Sequence, residues 1–302
     1  MTDQPIVDAH HHFWNLGLNY YPWLSDAVEK HFFLGDYSAL KQDFLPADYR
    51  RVADGFEIVA TVHVEAEWDR NAQVAETEWL SSVAAREGMP NAIVGHVWLA
   101  ADNCEEVLRG HMRHPLFRGV RSKPVTSLTP DTMTPGAPGT MQDPSWRRGF
   151  SLLRDLGLTY DLRVPYWHLY EATEIALMFP EVPIVLNHTG FPWDRSEDGL
   201  VAWRSAMRAI AACPNVRVKL SELGLADATW TVESNRGVVL DAVDIFGPER
   251  CMWASNFPVA GLRVSYREQL EGFLEILSGL TAEERDGVFR RNAANFYGIE
   301  LA

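Results

Sequence analysis

Residues 57–64 read EIVATVHV and residues 184–188 read IVLNH, two short and nearly continuous apolar runs. Strands that are buried on both faces, as in a parallel sheet, have this composition. Further short runs of this kind recur along the chain, so that eight cover residues 6–12, 58–67, 92–99, 117–124, 158–165, 184–190, 216–223 and 251–259. Strands that alternate with helices predict βαβ units, and eight parallel strands can close into a (β/α)8 TIM barrel.

Segments with a 3.6-residue apolar period separate these runs. They predict helices over residues 72–86, 103–113, 145–156, 168–179, 200–212, 235–246, 266–277 and 282–296. Glycine or proline follows several of them, as at Gly88, Gly157 and Pro180, where helices commonly end. A length of 302 residues is that of one TIM barrel with loop insertions. We therefore expect residues 1–302 to form a single domain.

Two stretches interrupt the alternation. Residues 17–53, after the first strand, are rich in Tyr, Trp, Phe and Asp, and residues 126–144, after the fourth, are rich in Thr, Pro and Gly. Both follow the C-terminal end of a strand, which is the active-site face of this fold. We therefore expect these loop insertions to form a lid and a pocket wall.

The charge of the chain excludes some classes of partner. With 27 basic and 41 acidic residues its net charge is −14, which repels nucleic acid and anionic lipid, so an anionic substrate needs a locally positive pocket. No apolar run approaches the length of a membrane span, and the first residues lack a signal-peptide pattern. The cysteines Cys104, Cys213 and Cys251 have no CxxC spacing, so we expect reduced thiols in a cytoplasmic protein. Formation of a homo-oligomer stays open.

Three consecutive histidines stand where the first predicted strand ends, in DAHHHFW (residues 8–14). Side chains alternate along a strand, so His10 and His12 point to one side and His11 to the other. Two imidazoles on one side of a barrel strand could bind a single metal ion. A His-x-His pair also occurs by chance among core or surface histidines, so the pair alone does not establish a metal site.

The sixth and eighth predicted strands also end in polar residues. His188, in NHTGFP (187–192), can reach the barrel mouth because Gly190 lets the chain turn away. The alternative is a core histidine whose nitrogens are satisfied by the backbone. Asn256, in MWASNFPV (252–259), could lend an amide oxygen to a metal ion or a hydrogen bond to a substrate, but it cannot act as a general base.

These motifs, together with VKLS (218–221) and RNAANFYGI (291–299), stand in an order that resembles the amidohydrolase-related (amidohydrolase 2) family of TIM-barrel, metal-dependent hydrolases. Within that family the chain is most similar to the branch that contains lactonases of sugar acids and dicarboxylates. The resemblance runs from Ile6 to Ile299. It implies one divalent metal ion, with zinc favoured, on His10, His12 and His188.

Asn256 departs from the family pattern, because it stands where the family usually has an aspartate that binds metal and accepts a proton. The departure predicts that the ion binds weakly or not at all and that another group takes the proton. Asp161, in YDLR, and Glu222, in KLSE, are candidates at strand ends, although each could instead be a structural carboxylate paired with a cation. We expect His188, Asn256 and Asp161 to be the catalytic residues.

Several other residues at strand ends are candidates for contact with the substrate. Arg121 and Arg163 end the fourth and fifth predicted strands and could hold a substrate carboxylate through two hydrogen bonds, or else form ion pairs at the barrel rim. Lys219, on the seventh strand, could line the mouth as well. Aromatic side chains after strands could enclose a ring-shaped substrate, although most aromatics serve only packing. Those expected to contact the substrate are Trp14, Tyr166 and Trp193.

These residues support three hypotheses. The first is hydrolysis of a lactone of a sugar acid or of a carboxylated small molecule by water attack at the histidine-rich mouth. The second is a metal-dependent nonoxidative decarboxylase, an activity that the same family contains, with Asp8 as a carboxylate upstream of His10. The third is a catalytically silent barrel that binds a ligand, in which Asn256 marks lost chemistry.

Overall fold

The computed structural model describes residues 4–28 and 32–301. At its centre lies an eight-stranded sheet in which strands β1 to β8 are neighbours in sequence order and every pair is parallel. The strands are β1 Ile6–His11, β2 Ile58–Val64, β3 Ala92–Gly95, β4 Phe117–Val120, β5 Thr159–Leu162, β6 Ile184–Leu186, β7 Val216–Leu220 and β8 Cys251–Trp253. The structure confirms the predicted (β/α)8 TIM barrel.

The barrel closes through the residues that follow β8. His11 forms a parallel bridge with Phe257. The Asn256 N–H donates to the His10 carbonyl at 2.7 Å, and the His12 N–H donates to the Phe257 carbonyl at 2.8 Å. The closing hydrogen bonds therefore hold His10, His12 and Asn256 at one point of the rim.

The observed strands lie within the predicted ones but end earlier. The prediction that His188 and Asn256 end strands is wrong in this detail, because β6 ends at Leu186 and β8 at Trp253. His188 has φ 56° and Asn256 has φ 54°, and no strand accommodates this left-handed conformation. Both residues lie instead in the turns that follow the strands.

Helices surround the sheet in the predicted places, and two further helices lie in the first insertion, where none was predicted. In chain order the helices are α1 Pro22–Ser25, α2 Pro46–Val52, α3 Gln73–Glu87, α4 Cys104–His111, α5 Pro144–Leu156, α6 Leu169–Met178, α7 Glu197–Ala211, α8 Val232–Phe246, α9 Tyr266–Ile276, α10 Ala282–Asp286 and α11 Asn292–Tyr297. Ser265 caps α9 by accepting a hydrogen bond from the Glu268 N–H. The helix predicted over 282–296 is divided, because a π-helical turn at Gly287–Arg291 separates α10 from α11 and buries Val288 and Phe289.

Both predicted insertions are present at the mouth of the barrel. The first contains α1 and α2, and Trp14 and Phe44 exchange two backbone hydrogen bonds of 3.0 Å that tie it to the end of β1. The second contains a 3-10 turn at Pro130–Thr132. Across the described ranges, no helix combines the length and the apolar character that a membrane span requires. Cys104, Cys213 and Cys251 are buried and carry free thiols.

Candidate active site

A cavity of about 390 Å³ opens at the C-terminal ends of the strands, where the two insertions meet the barrel. This volume suits a small ring-shaped molecule. Residues of both insertions line it, among them Phe33 from the first and Leu128 from the second. The polar and charged residues that line it include His12, Glu67, Arg121, Lys123, Arg163, His188 and Asn256.

Three imidazoles converge beside this cavity, since His12 and His188 line it and His10 lies fully buried next to them. The ring centroids of His10 and His12 are 4.9 Å apart and those of His10 and His188 are 4.7 Å apart. The Nε2 atoms of His10 and His12 are separated by 3.3 Å. The structure thus brings together the three histidines that the sequence singled out.

All three imidazoles are neutral at pH 7. Burial lowers the pKa of His10, His12 and His188 well below 6.5, and nearby cations lower it further. Among those cations, Lys219 acts most on the pKa of His10, Arg121 on that of His12 and Arg163 on that of His188. Each neutral ring keeps a lone pair that can bind a cation or accept a proton.

The hydrogen bonds of His12 and Asn256 leave two acceptors facing each other. His12 Nδ1 lies 2.7 Å from the Val64 carbonyl, which can only accept, so the proton is on Nδ1 and the lone pair on Nε2. The Asn256 Nδ2 group donates to Glu222 Oε2, so Asn256 Oδ1 points the other way, 3.2 Å from His12 Nε2. With His12 neutral and Glu222 ionised, no hydrogen lies between these two acceptors. A cation placed beside them would relieve their repulsion.

The donor atoms fit a divalent ion in type and spacing. Two atoms that each lie about 2.0 Å from a tetrahedral zinc ion are about 3.3 Å apart. His10 Nε2 and His12 Nε2 are 3.3 Å apart, and His12 Nε2 and Asn256 Oδ1 are 3.2 Å apart. Within residues 4–28 and 32–301, no group of three or more His, Cys, Asp or Glu side chains is arranged to hold a metal ion. The expected set of His10, His12 and His188 is therefore not arranged as a metal site, and the atoms with suitable spacing belong to His10, His12 and the neutral amide of Asn256, a set that predicts weak binding.

Arg121 is held in place by Glu65 of the same chain. Its Nε donates to Glu65 Oε1 at 2.7 Å, and its Nη2 donates to the Glu65 carbonyl. Its Nη1 lies 3.4 Å from His10 Nε2. The guanidinium is thereby fixed beside the imidazoles.

Arg163 differs from the other cations of the cavity. Arg121 pairs with Glu65 and Lys123 with Glu67, whereas Arg163 forms no ion pair or hydrogen bond with any residue that the structure describes. Its guanidinium lies 5.0 Å from the Phe191 ring and 5.6 Å from the Phe33 ring. Burial lowers its pKa to about 10, so it stays charged at pH 7.

Asp161 and Lys219 lie below the cavity and do not line it. Both are fully buried, and Lys219 Nζ donates to Asp161 Oδ2 at 2.6 Å. Tyr297 Oη donates to Asp161 at 2.8 Å and Asn187 Nδ2 at 2.9 Å. The structure thus places the residue expected as a base and the lysine expected to bind substrate in one buried ion pair.

Of the three aromatic residues expected to bind substrate, Trp193 lines the cavity. Trp14 is fully buried, donates to the Gln42 carbonyl and packs 6.3 Å from the His12 ring. Tyr166 is buried beside Trp167, which lines the cavity in its place. The prediction did not include the phenylalanines that line the cavity, because two are in the long first insertion and their position depends on how it folds. They are Phe32, Phe33 and Phe191.

Glu222, the second candidate base, lies behind Asn256. Burial raises its pKa to about 7. Glu222 and Asn256 belong to a group of non-glycine residues with left-handed φ that all follow strands at the barrel mouth. The group comprises Glu67, His188, Thr189, Phe191, Glu222 and Asn256. Such backbone strain persists where the surrounding structure imposes it, and it is concentrated at functional sites.

The family assignment rests on nearly the whole chain. A sequence pattern of the family described as Amidohydrolase matches residues 7–299. The chain belongs to the amidohydrolase family. As a member of this family it is a hydrolase, and the motifs at the ends of β1, β6 and β8 fall within the matched region.

Relatives of this amidohydrolase cover its whole length. Protein y4mH of Sinorhizobium fredii is 39% identical over 299 residues, 99% of this chain and 100% of the relative. An L-fucono-1,5-lactonase of Burkholderia multivorans is 29% identical over 311 residues, 97% of this chain and 96% of the lactonase. The crystal structure of an amidohydrolase from Burkholderia multivorans with bound Zn has a TM-score of 0.81 at 26% identity, covering 98% of this chain and 99% of the other.

Proposed function

We propose that the protein hydrolyses a lactone that carries a carboxylate group, by attack of water on the ring ester carbonyl. The observation that carries the proposal is the unpaired guanidinium of Arg163 in the same cavity as the neutral imidazoles of His12 and His188. The similarity to an L-fucono-1,5-lactonase supports a lactone as the reacting group.

Arg163 would bind the carboxylate of the substrate. A guanidinium presents parallel N–H donors that match a carboxylate, and no described acidic residue forms an ion pair with Arg163. Phe33 and Phe191 flank the guanidinium, and Trp193 and Trp167 continue this apolar wall. The substrate ring would pack against these side chains with its ester carbonyl toward His12.

His188 would take the proton of the attacking water. It lines the cavity as a neutral ring, and its Nδ1 lies 3.0 Å from Ser221 Oγ. If Nδ1–H donates to Ser221, Nε2 keeps its lone pair for the water proton. The water oxygen bonds to the carbonyl carbon, the ring C–O bond breaks, and His188 returns the proton to the leaving ring oxygen. Arg121, fixed by Glu65, lies where it can stabilise the charge on the carbonyl oxygen.

We infer that a divalent ion, zinc first, binds weakly at His10, His12 and Asn256 Oδ1. When bound, such an ion polarises a carbonyl oxygen and lowers the pKa of water. The zinc in the related Burkholderia multivorans amidohydrolase supports this inference. His188 then remains the group that moves the proton.

The decarboxylase hypothesis depended on Asp8, and the structure does not favour it. Asp8 accepts hydrogen bonds from Ser255 Oγ at 2.6 Å and from Tyr49 Oη at 2.8 Å, and it does not line the cavity. Its contacts hold β1 against the segment after β8. Hydrolysis is therefore the reaction that we propose.

A pH-indicator assay with paired δ-lactones, with and without a ring carboxylate, tests this function. We expect acid release from the carboxylated member of each pair. Carbon dioxide release from a hydroxybenzoate, without turnover of any lactone, would support the decarboxylase instead. Binding of lactones without turnover would support a silent barrel, and either result would overturn the proposal.

A further inference from the structure

We propose that Glu222 is a positioning residue that turns the side-chain amide of Asn256, so that its oxygen and not its NH2 group faces His12 Nε2. The inference rests on the ion site proposed above. It explains how a chain with an amide at this position can still present an oxygen ligand beside the two imidazoles.

The orientation of the amide follows from the hydrogen-bonding capacity of its neighbours. An amide can present either its oxygen or its nitrogen, and rotation exchanges them. In its ionised form the Glu222 carboxylate only accepts, so its contact through Oε2 then requires the NH2 group of Asn256. The oxygen is then left to face His12 Nε2 at 3.2 Å.

The backbone of Asn256 is fixed, so rotation of its side-chain amide is the freedom that remains. Its N–H is bound to the His10 carbonyl at 2.7 Å, and its φ of 54° fixes the turn after β8. Glu222 has φ 48° in the turn after β7, and both side chains are 2% exposed. Two turns from neighbouring strands thus hold the carboxylate against the amide.

The arrangement also accounts for the amide at position 256. The resemblance to the family implies an aspartate there, but an aspartate would place two carboxylates in contact, with no hydrogen for either unless they share a proton. In this chain the carboxylate belongs to Glu222, after the neighbouring strand, and Asn256 presents its amide oxygen to the proposed ion site. Burial raises the pKa of Glu222, and the hydrogen bond from Asn256 and the charges of Arg163 and Arg263 lower it.

The test compares Glu222→Gln in two backgrounds, Asn256 and Asn256→Asp. Glutamine has the same shape but can donate to the amide oxygen, so the orientation of Asn256 is no longer fixed. The two oxygens of an aspartate are equivalent, so Asp at this position has no orientation to lose. Asn and Asp both tolerate left-handed φ, which keeps the second background folded. Zinc affinity of the metal-stripped proteins is measured by competition with a chromophoric chelator.

We expect Glu222→Gln to weaken zinc binding about 10-fold or more in the Asn256 background. Beside Asp it should weaken binding by a clearly smaller factor or not at all, because there the change also separates two carboxylates. Glu222→Met, which removes donor and acceptor together, should show the same pattern. Glu181→Gln, an exposed change at the opposite end of the barrel, should leave zinc affinity unchanged.

An equal loss in both backgrounds would show a simple effect of charge and would overturn the inference. Absence of zinc binding to the unaltered protein would overturn it too. Lactone hydrolysis by the same proteins is recorded separately, so that failure of the ion site and failure of the proposed reaction are distinguishable.

Discussion

At the scale of single residues, Arg163 is the residue on which the proposed preference for a carboxylated substrate rests. Among the described residues three cations line the cavity, and two of them already have acidic partners, Glu65 for Arg121 and Glu67 for Lys123. A guanidinium that contacts aromatic rings and forms no ion pair within the described part of the chain is available to a bound anion. Its contribution should therefore depend on the charge of the substrate.

Replacement Arg163→Met keeps the length of the side chain and removes its charge. We expect kcat/KM for a carboxylated lactone to fall about 10- to 100-fold, mainly through KM, because a charged hydrogen-bonded contact is lost. The matched neutral lactone should change little. Steady-state kinetics on the lactone pair measure this, with Arg208→Met on the exposed face of α7 as control. An equal loss on both lactones would show that Arg163 does not bind the carboxylate.

Burial of Glu76 should make the stability of the protein depend on pH. Glu76 lies on α3, accepts a hydrogen bond from the Ala66 N–H at 2.8 Å and lies 3.4 Å from His63 Nε2. Burial, followed by the charge of Glu65, raises its pKa from 4.5 to about 8. The folded protein therefore holds a proton that the unfolded chain loses near its ordinary pKa.

This difference predicts that the contribution of Glu76 to stability falls as pH rises. Between pH 6 and pH 8 the folded state binds more protons at Glu76 than the unfolded state, so this contribution to the free energy of unfolding should decrease by about 2 kcal/mol, whereas the buried histidines with lowered pKa act in the opposite direction. Glu76→Gln should remove the contribution of Glu76, so the change in the free energy of unfolding from pH 6 to pH 8, measured by urea unfolding, should differ between the variant and the unaltered protein by about 2 kcal/mol. Identical pH dependence in the variant and the unaltered protein would contradict the assignment.

The sequence predicted part of the site at this scale. Alternation along β1 correctly separates His10 and His12 from His11, because a strand fixes the side of each residue. It does not fix the depth or the partner of a side chain. Asp161 and Lys219 stand near strand ends as expected, yet they neutralise each other below the cavity. That pairing depends on the shear of the closed barrel, which the local sequence does not contain.

At the scale of elements, the contact between β1 and the segment after β8 closes the barrel. Asp8 on β1 accepts hydrogen bonds from the Ser255 N–H at 2.9 Å and from Ser255 Oγ at 2.6 Å. Tyr49 of α2 donates to the same carboxylate at 2.8 Å. Because Asn256 follows Ser255 directly, the closure also places the amide of the site.

Ser255→Ala should weaken this closure. The change removes the hydroxyl donor to a buried carboxylate, so we expect the free energy of unfolding to fall by about 1 to 3 kcal/mol. Urea denaturation measures the loss. Ser82→Ala, on the exposed side of α3, serves as the control and should change it by less than about 0.5 kcal/mol. A loss no larger than that of the control would show that closure does not depend on Asp8 and Ser255.

The existence and order of the strands could be predicted, whereas their ends could not. Apolar runs such as 184–188 mark strands because both faces of a parallel sheet are buried. The strands end where residues such as His188 and Asn256 adopt left-handed φ, which contacts across the mouth impose. Local propensity does not encode these contacts.

At the scale of the whole molecule, charge is unevenly distributed, so the cavity is rich in cations although the net charge is negative. The chain carries a net charge of −14, yet Arg121, Lys123 and Arg163 line one cavity. The sequence predicted that an anionic substrate would need a locally positive pocket, and the barrel supplies one by bringing the ends of β4 and β5 together. An acidic surface with a basic cavity favours a small anionic substrate over a polyanion.

The central claim is that water attacks a lactone carbonyl at this cavity with His188 as the proton acceptor. Initial rates of hydrolysis of a carboxylated δ-lactone by the unaltered protein and by His188→Asn test it most directly, since asparagine tolerates the left-handed φ of this position. We predict turnover by the unaltered protein and by Glu181→Gln, and a loss of at least about 100-fold in His188→Asn. Full activity of His188→Asn, or no hydrolysis of any lactone by the unaltered protein, would contradict the claim.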